Sequence, residues 1–222
     1  MKVEKGTKKE SETLVEDFVN RIQKNNLYYD RFVANIASRS DKRDFTNWIN
    51  EFCALVPDGG TVLDIGCGTG IHLKKFHDMG YDVLGIEPSK EMRKHASQEG
   101  LKVVDGAFET LSTLELPKVS GVWCASSLLH VPKNQLLQVL KDIRNVLHKE
   151  GALFVTVRVG TSAMWDRYDE TAGEAERFIQ LYEEKELFNR LTSVGFEVCT
   201  SMIEQSYWGR PVPWISIIAR KM

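Results

Sequence analysis

Residues 61 to 70 read Thr-Val-Leu-Asp-Ile-Gly-Cys-Gly-Thr-Gly, and the organisation of the whole chain can be worked out from this stretch. Its first half is a short, mostly apolar run of the kind found in a buried parallel strand. Its three glycines then give a backbone that can turn sharply and lie close against a ligand. A helix from about Ile71 to Met79 is expected next, with the free N–H groups of its first turn directed at that ligand. The pattern predicts a strand, a glycine turn and a helix beside a bound cofactor.

Two acidic residues stand at informative positions around this turn. Asp64 lies inside the strand, where a buried carboxylate needs hydrogen-bond partners, so we expect it to hold the turn or a ligand cation. Glu87 ends a second apolar run, about 20 residues after Gly66, and a doubly wound fold places a ribose-binding acid at about this distance from its glycine turn. The two acids strengthen the prediction of a nucleoside-containing cofactor.

The segment from Val62 to Gly70, read together with Glu87, resembles the first motif and the ribose acid of class I S-adenosylmethionine-dependent methyltransferases. The resemblance covers the chain from about Asp41 to its C-terminus and implies S-adenosyl-L-methionine as the cofactor. The alternatives are a glycine turn without a ligand and a nicotinamide-binding Rossmann domain, which has Gly-x-Gly-x-x-Gly where this chain has Gly-x-Gly-x-Gly. The cofactor-binding residues expected on this basis are Asp64, Gly66, Cys67, Gly68, Gly70, Glu87, Pro88, Ala107, Phe108, Ser126 and Tyr29.

Strands and helices alternate from Thr61 onward, which predicts a parallel sheet covered on both faces. A turn-rich stretch separates the last two strands, so we expect them to pair antiparallel, as in the closing hairpin of the methyltransferase sheet. The predicted fold is α/β: a doubly wound, mostly parallel seven-stranded sheet with an antiparallel C-terminal hairpin and N-terminal helices. The expected strands are Thr61–Ile65, Asp82–Ile86, Lys102–Val104, Gly121–Ala125, Ala152–Val157, Phe196–Glu204 and Trp214–Arg220.

Two amphipathic helices are expected before the first strand, over Glu10–Lys24 and Asp41–Leu55. We expect them to form an N-terminal cap, residues 1–57, on a single domain that spans residues 1–222. The resemblance implies that Tyr28 or Tyr29, between these helices, contacts the methionine end of the cofactor. The alternative is a tyrosine that packs on the core by its ring and hydroxyl.

Composition agrees with an enzyme that acts on a small molecule. The chain has 222 residues, 42% of them hydrophobic and 27% charged, and can bury a full core. A formal net charge of −2 gives no general attraction to nucleic acid, so a small-molecule acceptor is favoured. We see no apolar signal core and no run that could span a bilayer, so we expect a cytoplasmic monomer or homodimer without a membrane partner. The four cysteines and five histidines form no metal-binding pair, so we expect reduced thiols and no metal.

The end of the third strand departs from the family pattern. Many relatives read Gly-Asp-Ala there, with the aspartate accepting a hydrogen bond from the adenine amino group. Aligning Gly106 with that glycine puts Ala107 at the acidic position. Three alternatives stay open: Asp105 substitutes, Glu109 substitutes, or backbone groups and contact with Phe108 hold the adenine.

The candidate general base is His130, because it follows the fourth strand, which in relatives ends beside the methyl group. The alternative is a structural histidine bonded to a backbone carbonyl. Methyl transfer from a sulfonium is an in-line displacement with an activated donor, so a base is needed only if the acceptor is protonated.

We expect the acceptor pocket to form from the segment after the fifth strand and from the last turn. The stretch Val159–Gly173 is polar and longer than an ordinary connection, which is typical of a lid. Aromatic and cationic side chains there suit a small, partly aromatic or anionic acceptor, whereas the alternative is that the aromatic rings pack the loops. The expected acceptor-binding residues are His130, Arg158, Trp165, Tyr168, Trp208 and Trp214.

The function predicted from the sequence is transfer of a methyl group from S-adenosylmethionine to a small-molecule acceptor. Two other classes stay open: a non-catalytic module that binds the cofactor, and a methyltransferase that acts on tRNA or protein. The intact glycines, Asp64 and Glu87 favour the enzyme, while the altered third-strand motif leaves the non-catalytic module open.

Overall fold

A computed structural model describes residues 20–40, 44–167, 175–205 and 212–222. Within these ranges the chain forms seven helices, nine strands and two short 3₁₀ helices, Phe108–Thr113 and Leu128–His130. The helices are residues 20–31 (the described part of α1), Val33–Ser40 (α2), Thr46–Cys53 (α3), Ile71–Asp78 (α4), Lys90–Gln98 (α5), Lys133–Val146 (α6) and Glu184–Ser193 (α7). The strands are Thr61–Ile65 (β1), Asp82–Ile86 (β2), Val103–Val104 (β3), Val119–Ala125 (β4), Leu147–Arg158 (β5), Ala163–Arg167 (β6), Glu176–Gln180 (β7), Phe196–Glu204 (β8) and Trp214–Lys221 (β9).

Seven of the strands form one sheet in the order β3-β2-β1-β4-β5-β9-β8. The first five are parallel to one another, and β9 pairs antiparallel with both β5 and β8. The predicted mostly parallel, seven-stranded fold is therefore confirmed. Because β1 lies between β2 and β4, the strand order reverses at β1, and open α/β sheets bind ligands at the carboxyl ends of strands at such a switch point.

Side chains alternate between the two faces of the sheet, so each face carries its own apolar core. On one face α3 and α4 pack against Val62, Trp123 and Phe154, with the last two rings stacked at 3.8 Å between centroids. On the other face α6 and α7 cover Leu63 and Val122. The two layers fix the carboxyl ends of the strands on which the site is built.

The helices before β1 differ from the prediction. Helix α1 continues through Tyr28 and Tyr29, which were expected between helices, and α2 follows it directly; the part of the predicted helix before residue 20 lies outside the described residues. The second predicted helix is shorter than expected and begins at Thr46, where Asp44 Oδ1 accepts a hydrogen bond from the Thr46 N–H at 2.8 Å. That local bond gives the first-turn N–H a partner and favours a helix start.

A second, two-stranded antiparallel sheet of β6 and β7 was not predicted. It lies in and just after the segment expected to be a lid, and residues 168–174 between its strands are outside the described ranges. Met164 and Trp165 are exposed, so neighbouring positions of β6 do not show the clean apolar alternation of a half-buried strand. Strand β5 also begins earlier than predicted, at Leu147, directly after α6.

Candidate active site

One cavity, with a volume of about 280 Å³, opens at the carboxyl ends of the parallel strands. At one end it is bounded by the glycine turn after β1 and by the end of β2. At the other end it is bounded by the segment after β4, the end of β5, the β6–β7 hairpin and α1. We refer to these as the glycine end and the hairpin end. Of the expected site residues, the cavity is lined by Gly66, Cys67, Gly68, Glu87, Pro88, Ala107, Phe108, Ser126, Tyr29, His130, Arg158 and Trp214.

The glycine turn is held against β2 and needs glycine for two different reasons. The N–H groups of Gly66 and Cys67 both donate to the carbonyl oxygen of Ile86, at 2.7 and 3.1 Å. Gly66 has a φ of +75°, and a Cβ there would lie 2.5 Å from Cβ of Ser127. Gly68 has a φ of +56° with open space where a Cβ would be, so its side of the turn can receive a ligand.

Glu87 closes the glycine end of the cavity with a buried carboxylate. Its Oε2 accepts from the Gly68 N–H and its Oε1 accepts from the Ser89 N–H, each at 2.8 Å. Burial raises the pKa of Glu87 to about 7, against the two backbone N–H groups, which lower it. Each carboxylate oxygen keeps a second lone pair, so the group can also accept from the hydroxyls of a ribose. The accepting carboxylate of Glu87 and the open side of Gly68 fit a nucleoside cofactor such as S-adenosylmethionine.

Two expected cofactor residues lie beneath the turn instead of lining the cavity. Asp64 is 1% exposed, and its Oδ2 has no hydrogen-bond partner among the described residues. Burial, with a smaller contribution from Glu87, raises the pKa of Asp64 well above its ordinary value. Gly70 has a φ of +85° ahead of α4, and a Cβ there would lie 2.6 Å from Leu101 Cδ1. The expectation of direct ligand contact is therefore corrected: Gly70 serves packing, and Asp64 lies behind the turn.

The structure after β3 separates the three alternatives for adenine binding, which are Asp105, Glu109, and backbone groups with Phe108. Asp105 is turned to solvent and forms a bidentate pair with Arg93, with both N–O distances at 3.0 Å, and it does not line the cavity. Glu109 lines the cavity and pairs with Arg21 at 2.9 Å. Phe108 is buried and also lines the cavity. Of the open alternatives, Phe108 and Glu109 remain compatible with a ligand, and Asp105 does not.

Both ring nitrogens of His130 are engaged. Nδ1 lies 2.7 Å from the carbonyl oxygen of Phe178, so Nδ1 carries the hydrogen and donates it. Nε2 lies 2.7 Å from the Tyr29 hydroxyl and must accept from it. Burial, followed by the charge of Arg177, lowers the pKa of His130 to about 3, with smaller contributions from Arg158 and Arg21. The geometry matches the structural alternative and disfavours the expected general base.

A buried network of hydrogen bonds and ion pairs connects His130 to the β6–β7 hairpin. Arg177 donates from Nη1 to the Tyr29 hydroxyl at 3.0 Å and from Nη2 to Asp166 Oδ2 at 3.1 Å. Arg158 reaches the same Asp166 oxygen at 3.9 Å, and its guanidinium lies 5.4 Å from the centre of the Trp214 ring. Asp166 and Arg177 face each other across the β6–β7 ladder and both line the cavity. The sequence reasoning missed both of them, because only the strand register brings them together.

Helix α1 covers the hairpin end of the cavity through contacts with β7 and with the segment after β4. Asn25 Oδ1 accepts from the Phe178 N–H at 2.7 Å, and Lys24 pairs with Glu176 at 2.8 Å. Arg21 donates to the His130 carbonyl oxygen at 3.1 Å. The helix is therefore tied to β7 and to the segment after β4 by side-chain contacts, and it contributes Tyr29 to the cavity wall.

One of the expected acceptor residues that the structure describes, Trp165, does not line the cavity. Trp165 is 42% exposed on the outer face of the hairpin, where it contacts Phe178 and the ammonium of Lys24. It stands beside Asp166 on β6, so it points to the opposite face. The expectation for Trp165 is therefore wrong. Tyr168 and Trp208 lie outside the described residues, and so do most of the residues of the expected lid after Arg167.

Among the described ranges, no group of three histidine, cysteine, aspartate or glutamate side chains is arranged to hold a metal ion. In the same part of the chain, no helix combines the length and the hydrophobicity needed to cross a bilayer. All four cysteines are free thiols.

Comparison with known proteins identifies a matching family. Residues 62–151 match the family described as methyltransferase domain. The ubiquinone biosynthesis O-methyltransferase of Actinobacillus pleuropneumoniae serotype 5b (strain L20) is 30% identical over 106 residues, which make up 43% of this chain and 44% of that protein. The chain spans about half the length of the curated relatives that it matches at 30% identity or more.

Two solved structures share the fold. A SAM-dependent methyltransferase of Methanosarcina mazei has a TM-score of 0.68 and 22% identity, over 81% of this chain and 99% of that chain. The 1,6-didemethyltoxoflavin-N1-methyltransferase of Burkholderia thailandensis, solved with 1,6-didemethyltoxoflavin and S-adenosylhomocysteine, has a TM-score of 0.65 and 18% identity. That match covers 96% of this chain and 89% of the other. At these identities the likeness establishes the fold.

Proposed function

We propose that the chain is a class I S-adenosylmethionine-dependent methyltransferase that transfers a methyl group from S-adenosylmethionine to a small-molecule acceptor by in-line displacement. The match of residues 62–151 to the methyltransferase domain and the shared fold support this proposal. The proposal includes a cytoplasmic location, a monomer or homodimer, and one domain capped by its N-terminal helices. These were expected from the sequence and stay predictions.

The observation that carries the proposal is the continuity of the cavity. A single enclosure runs from Glu87 and Gly68 at one end to His130 and Arg177 at the other. A donor held at the glycine end and an acceptor held at the hairpin end would therefore share one partly enclosed space. Orientation and exclusion of water supply most of what a displacement at an activated methyl group requires.

In this proposal the residues at the glycine end bind and orient the cofactor, which supplies the activated methyl group. The Glu87 carboxylate accepts from the ribose hydroxyls, and the backbone at Gly66, Cys67 and Gly68 lies against the ligand. Pro88, Ala107 and Phe108 give the adenine an apolar surface. Ser126, which has a φ of +60° at the end of β4, lines the cavity near the point where donor and acceptor would meet.

The shape of the hairpin end favours a small acceptor over tRNA or protein. Helix α1 and strand β7 wall this end through Tyr29, Arg177 and Ile179, all of which line the cavity. A polynucleotide or a folded protein would need these elements to move aside before a reacting atom could enter. The non-catalytic alternative predicts cofactor binding without turnover, so turnover separates the two.

Calorimetry tests whether the protein binds the cofactor that the proposal requires. S-adenosylmethionine and S-adenosylhomocysteine should bind saturably and NAD should not. Replacement of Glu87 by Ala should weaken binding by about ten-fold or more, because two buried ribose hydroxyls lose an acceptor. Glu99→Ala, on the exposed end of α5, is the matched control and should bind like the parent. Binding of NAD without a response to S-adenosylhomocysteine would overturn the proposal.

Turnover is tested by release of S-adenosylhomocysteine in the presence of a collection of small phenols, carboxylic acids, amines and thiols. A compound that accelerates release and gains one methyl group by mass spectrometry supports an enzyme. Tight cofactor binding with turnover only on added tRNA or protein would favour the macromolecular alternative.

A further inference from the structure

Among the described residues, the hairpin end of the cavity brings together three guanidiniums, those of Arg21, Arg158 and Arg177, and two carboxylates, those of Glu109 and Asp166. Arg158 and Arg177 both approach the single carboxylate of Asp166, and these three side chains are largely buried. Burial is the largest cause of the lowered pKa of His130, and the charges of Arg177, Arg158 and Arg21 lower this pKa further. The guanidiniums of Arg177, Arg158 and Arg21, which lie on β7, β5 and α1, thus all act on the buried ring of His130.

A buried positive region is costly unless an anion compensates it. In a site of low dielectric, an excess cationic charge is stabilised strongly by a negative ligand and poorly by a neutral one. Arginine also matches planar oxyanions, because its donors are fixed in a fork. The described residues of this end therefore complement an oxyanion better than an amine or a neutral alcohol.

Aromatic rings define the shape of the same region. Arg158 lies over the ring of Trp214, and Arg177 lies 4.9 Å from the centre of the Tyr28 ring and 5.7 Å from that of Tyr29. These contacts place the central carbon of each guanidinium over an aromatic ring, and the attraction between cation and ring helps to hold it there. The arrangement suits a flat acceptor whose acidic group reaches the two arginines.

The titratable side chains that face this end are already engaged with one another. Tyr29 donates to His130 and accepts from Arg177. Asp166 lies between two guanidiniums, and Glu109 is paired with Arg21. None of these described groups is placed to take a proton from an acceptor without giving up a buried partner. The charged and titratable groups, taken element by element, are Arg21 and Tyr29 of α1, Glu109 and His130 of the two 3₁₀ helices, Arg158 of β5, Asp166 of β6 and Arg177 of β7.

We propose that the acceptor is an acidic phenol or carboxylic acid that binds as its oxyanion to Arg158 and Arg177 and reacts without a protein base. This inference rests on the proposed methyltransferase function. The oxyanion forms the new O–C bond while the S–C bond of the sulfonium breaks and leaves its electron pair on sulfur. The negative charge of the acceptor and the positive charge of the donor cancel, so no proton has to be moved.

The probe 4-nitrophenol tests this inference directly, because it ionises near neutral pH and only its phenolate absorbs visible light. The protein is saturated with S-adenosylhomocysteine, and the ionised fraction of bound probe is titrated by absorbance. An opposite charge nearby lowers the pKa of an acid by about 1–3 units, so the bound probe should ionise at lower pH than the free probe by at least about 1 unit. Its methyl ether, 4-nitroanisole, has nearly the same shape without the charge and should bind about ten-fold more weakly or worse.

Variants assign the effect to the arginines. Arg158→Gln and Arg177→Gln should each abolish most of the shift, while Arg220→Gln, on the exposed part of β9, should keep it. Melting curves show whether each variant is folded, and the comparison of the two probes on the parent protein decides the question even if both variants unfold. An unshifted or raised pKa of the bound phenol, equal affinity for the ether, or no binding of either probe would overturn the inference. If S-adenosylhomocysteine itself fails to bind, the proposed function fails instead.

Discussion

The hydroxyl of Tyr29 donates a hydrogen bond to Nε2 of His130 over 2.7 Å, and this contact occupies the ring nitrogen that a general base would use. The other nitrogen, Nδ1, donates to the Phe178 carbonyl oxygen. A histidine with both nitrogens bonded and a pKa of about 3 holds elements together better than it removes protons at neutral pH. Its bonds connect α1, the segment after β4 and strand β7.

We predict that His130→Asn lowers stability and leaves the pH profile of methyl transfer unchanged. Loss of buried hydrogen bonds should reduce the free energy of unfolding by roughly 1–3 kcal/mol, which a denaturant titration measures. His77→Asn, on the exposed side of α4, is the control and should change little. A large loss of single-turnover rate and of its pH dependence, with stability intact, would restore His130 as the base.

The same histidine makes a prediction for stability against pH. Its folded pKa is lowered from 6.5 to about 3, so between these values the unfolded chain binds a proton that the folded chain does not. Its contribution is therefore fully present above pH 6.5 and is lost as the pH falls toward 3. The free energy of unfolding of the parent should fall more steeply with acid in this window than that of His130→Asn. Equal slopes in the two proteins would contradict the lowered pKa.

Alanine substitutions at three glycines distinguish the effects of backbone strain, of a steric clash of the new Cβ and of contact with the ligand. Gly59 and Gly68 both have positive φ values and open space where a Cβ would lie, so alanine at either should cost about 1–2 kcal/mol of stability from backbone strain alone. Gly66→Ala adds a clash with Ser127 and should cost more. Gly59 lies ahead of β1, outside the cavity, so of the two variants that introduce no clash only Gly68→Ala should also lose affinity for S-adenosylhomocysteine. Equal affinity in the Gly59 and Gly68 variants would show that the cofactor does not lie against the turn at Gly68.

The buried carboxylate of Glu87 should make cofactor binding depend on pH. With a pKa of about 7, the group is partly protonated at neutral pH, and its charged form is the stronger acceptor for ribose hydroxyls. Affinity for S-adenosylhomocysteine should therefore rise as the pH increases through about 7. Calorimetry across this range should show the rise in the parent and a flat, weaker response in Glu87→Gln. A flat response in the parent would refute the role of ionised Glu87.

Ligand binding should protect the hairpin from hydrogen exchange. Strand β7 meets α1 through polar contacts, including Asn25 with the Phe178 N–H and Lys24 with Glu176, and contacts of this kind can open at a low cost in free energy. Amides of 176–180 should exchange faster without ligand than with S-adenosylhomocysteine and 4-nitrophenol bound. Amides of β4, in the centre of the sheet, serve as the internal reference. Equal exchange of 176–180 in both states would show that ligand binding does not stabilise the hairpin.

The sheet could be predicted because its strands are short apolar runs bounded by turn residues. Val62 and Leu63 belong to opposite cores, and both positions are apolar because helices cover both faces. Such runs carry enough local information to place parallel strands. Helix α5 shows similar local information, because Ser89 is a residue type that favours a helix start and its Oγ accepts from the Met92 N–H.

The hairpin end could not be predicted in the same way, since its contacts join residues far apart in the chain. Asp166 and Arg177 meet through a strand register, and Tyr29 reaches His130 across 101 positions. Trp165 was expected in the pocket because of its residue type, although its neighbour Asp166 has the inward position. Residues 163–167 (Ala-Met-Trp-Asp-Arg) and 176–180 (Glu-Arg-Phe-Ile-Gln) group their apolar and polar residues in blocks, so they lack the alternation that predicts a half-buried strand.

The glycine end and the hairpin end of the cavity are formed largely by different segments of the chain. Gly68 and Glu87 lie within residues 62–151, the part that matches the methyltransferase domain, whereas Tyr29, Arg158 and Arg177 lie outside it. Substitutions could therefore accumulate in a helix and a hairpin while the donor machinery is inherited intact. Exchange of helix α1 and the β6–β7 hairpin during evolution could therefore change the acceptor specificity. In the laboratory, grafting α1 and β6–β7 onto another methyltransferase of this fold would be the corresponding route to a new specificity.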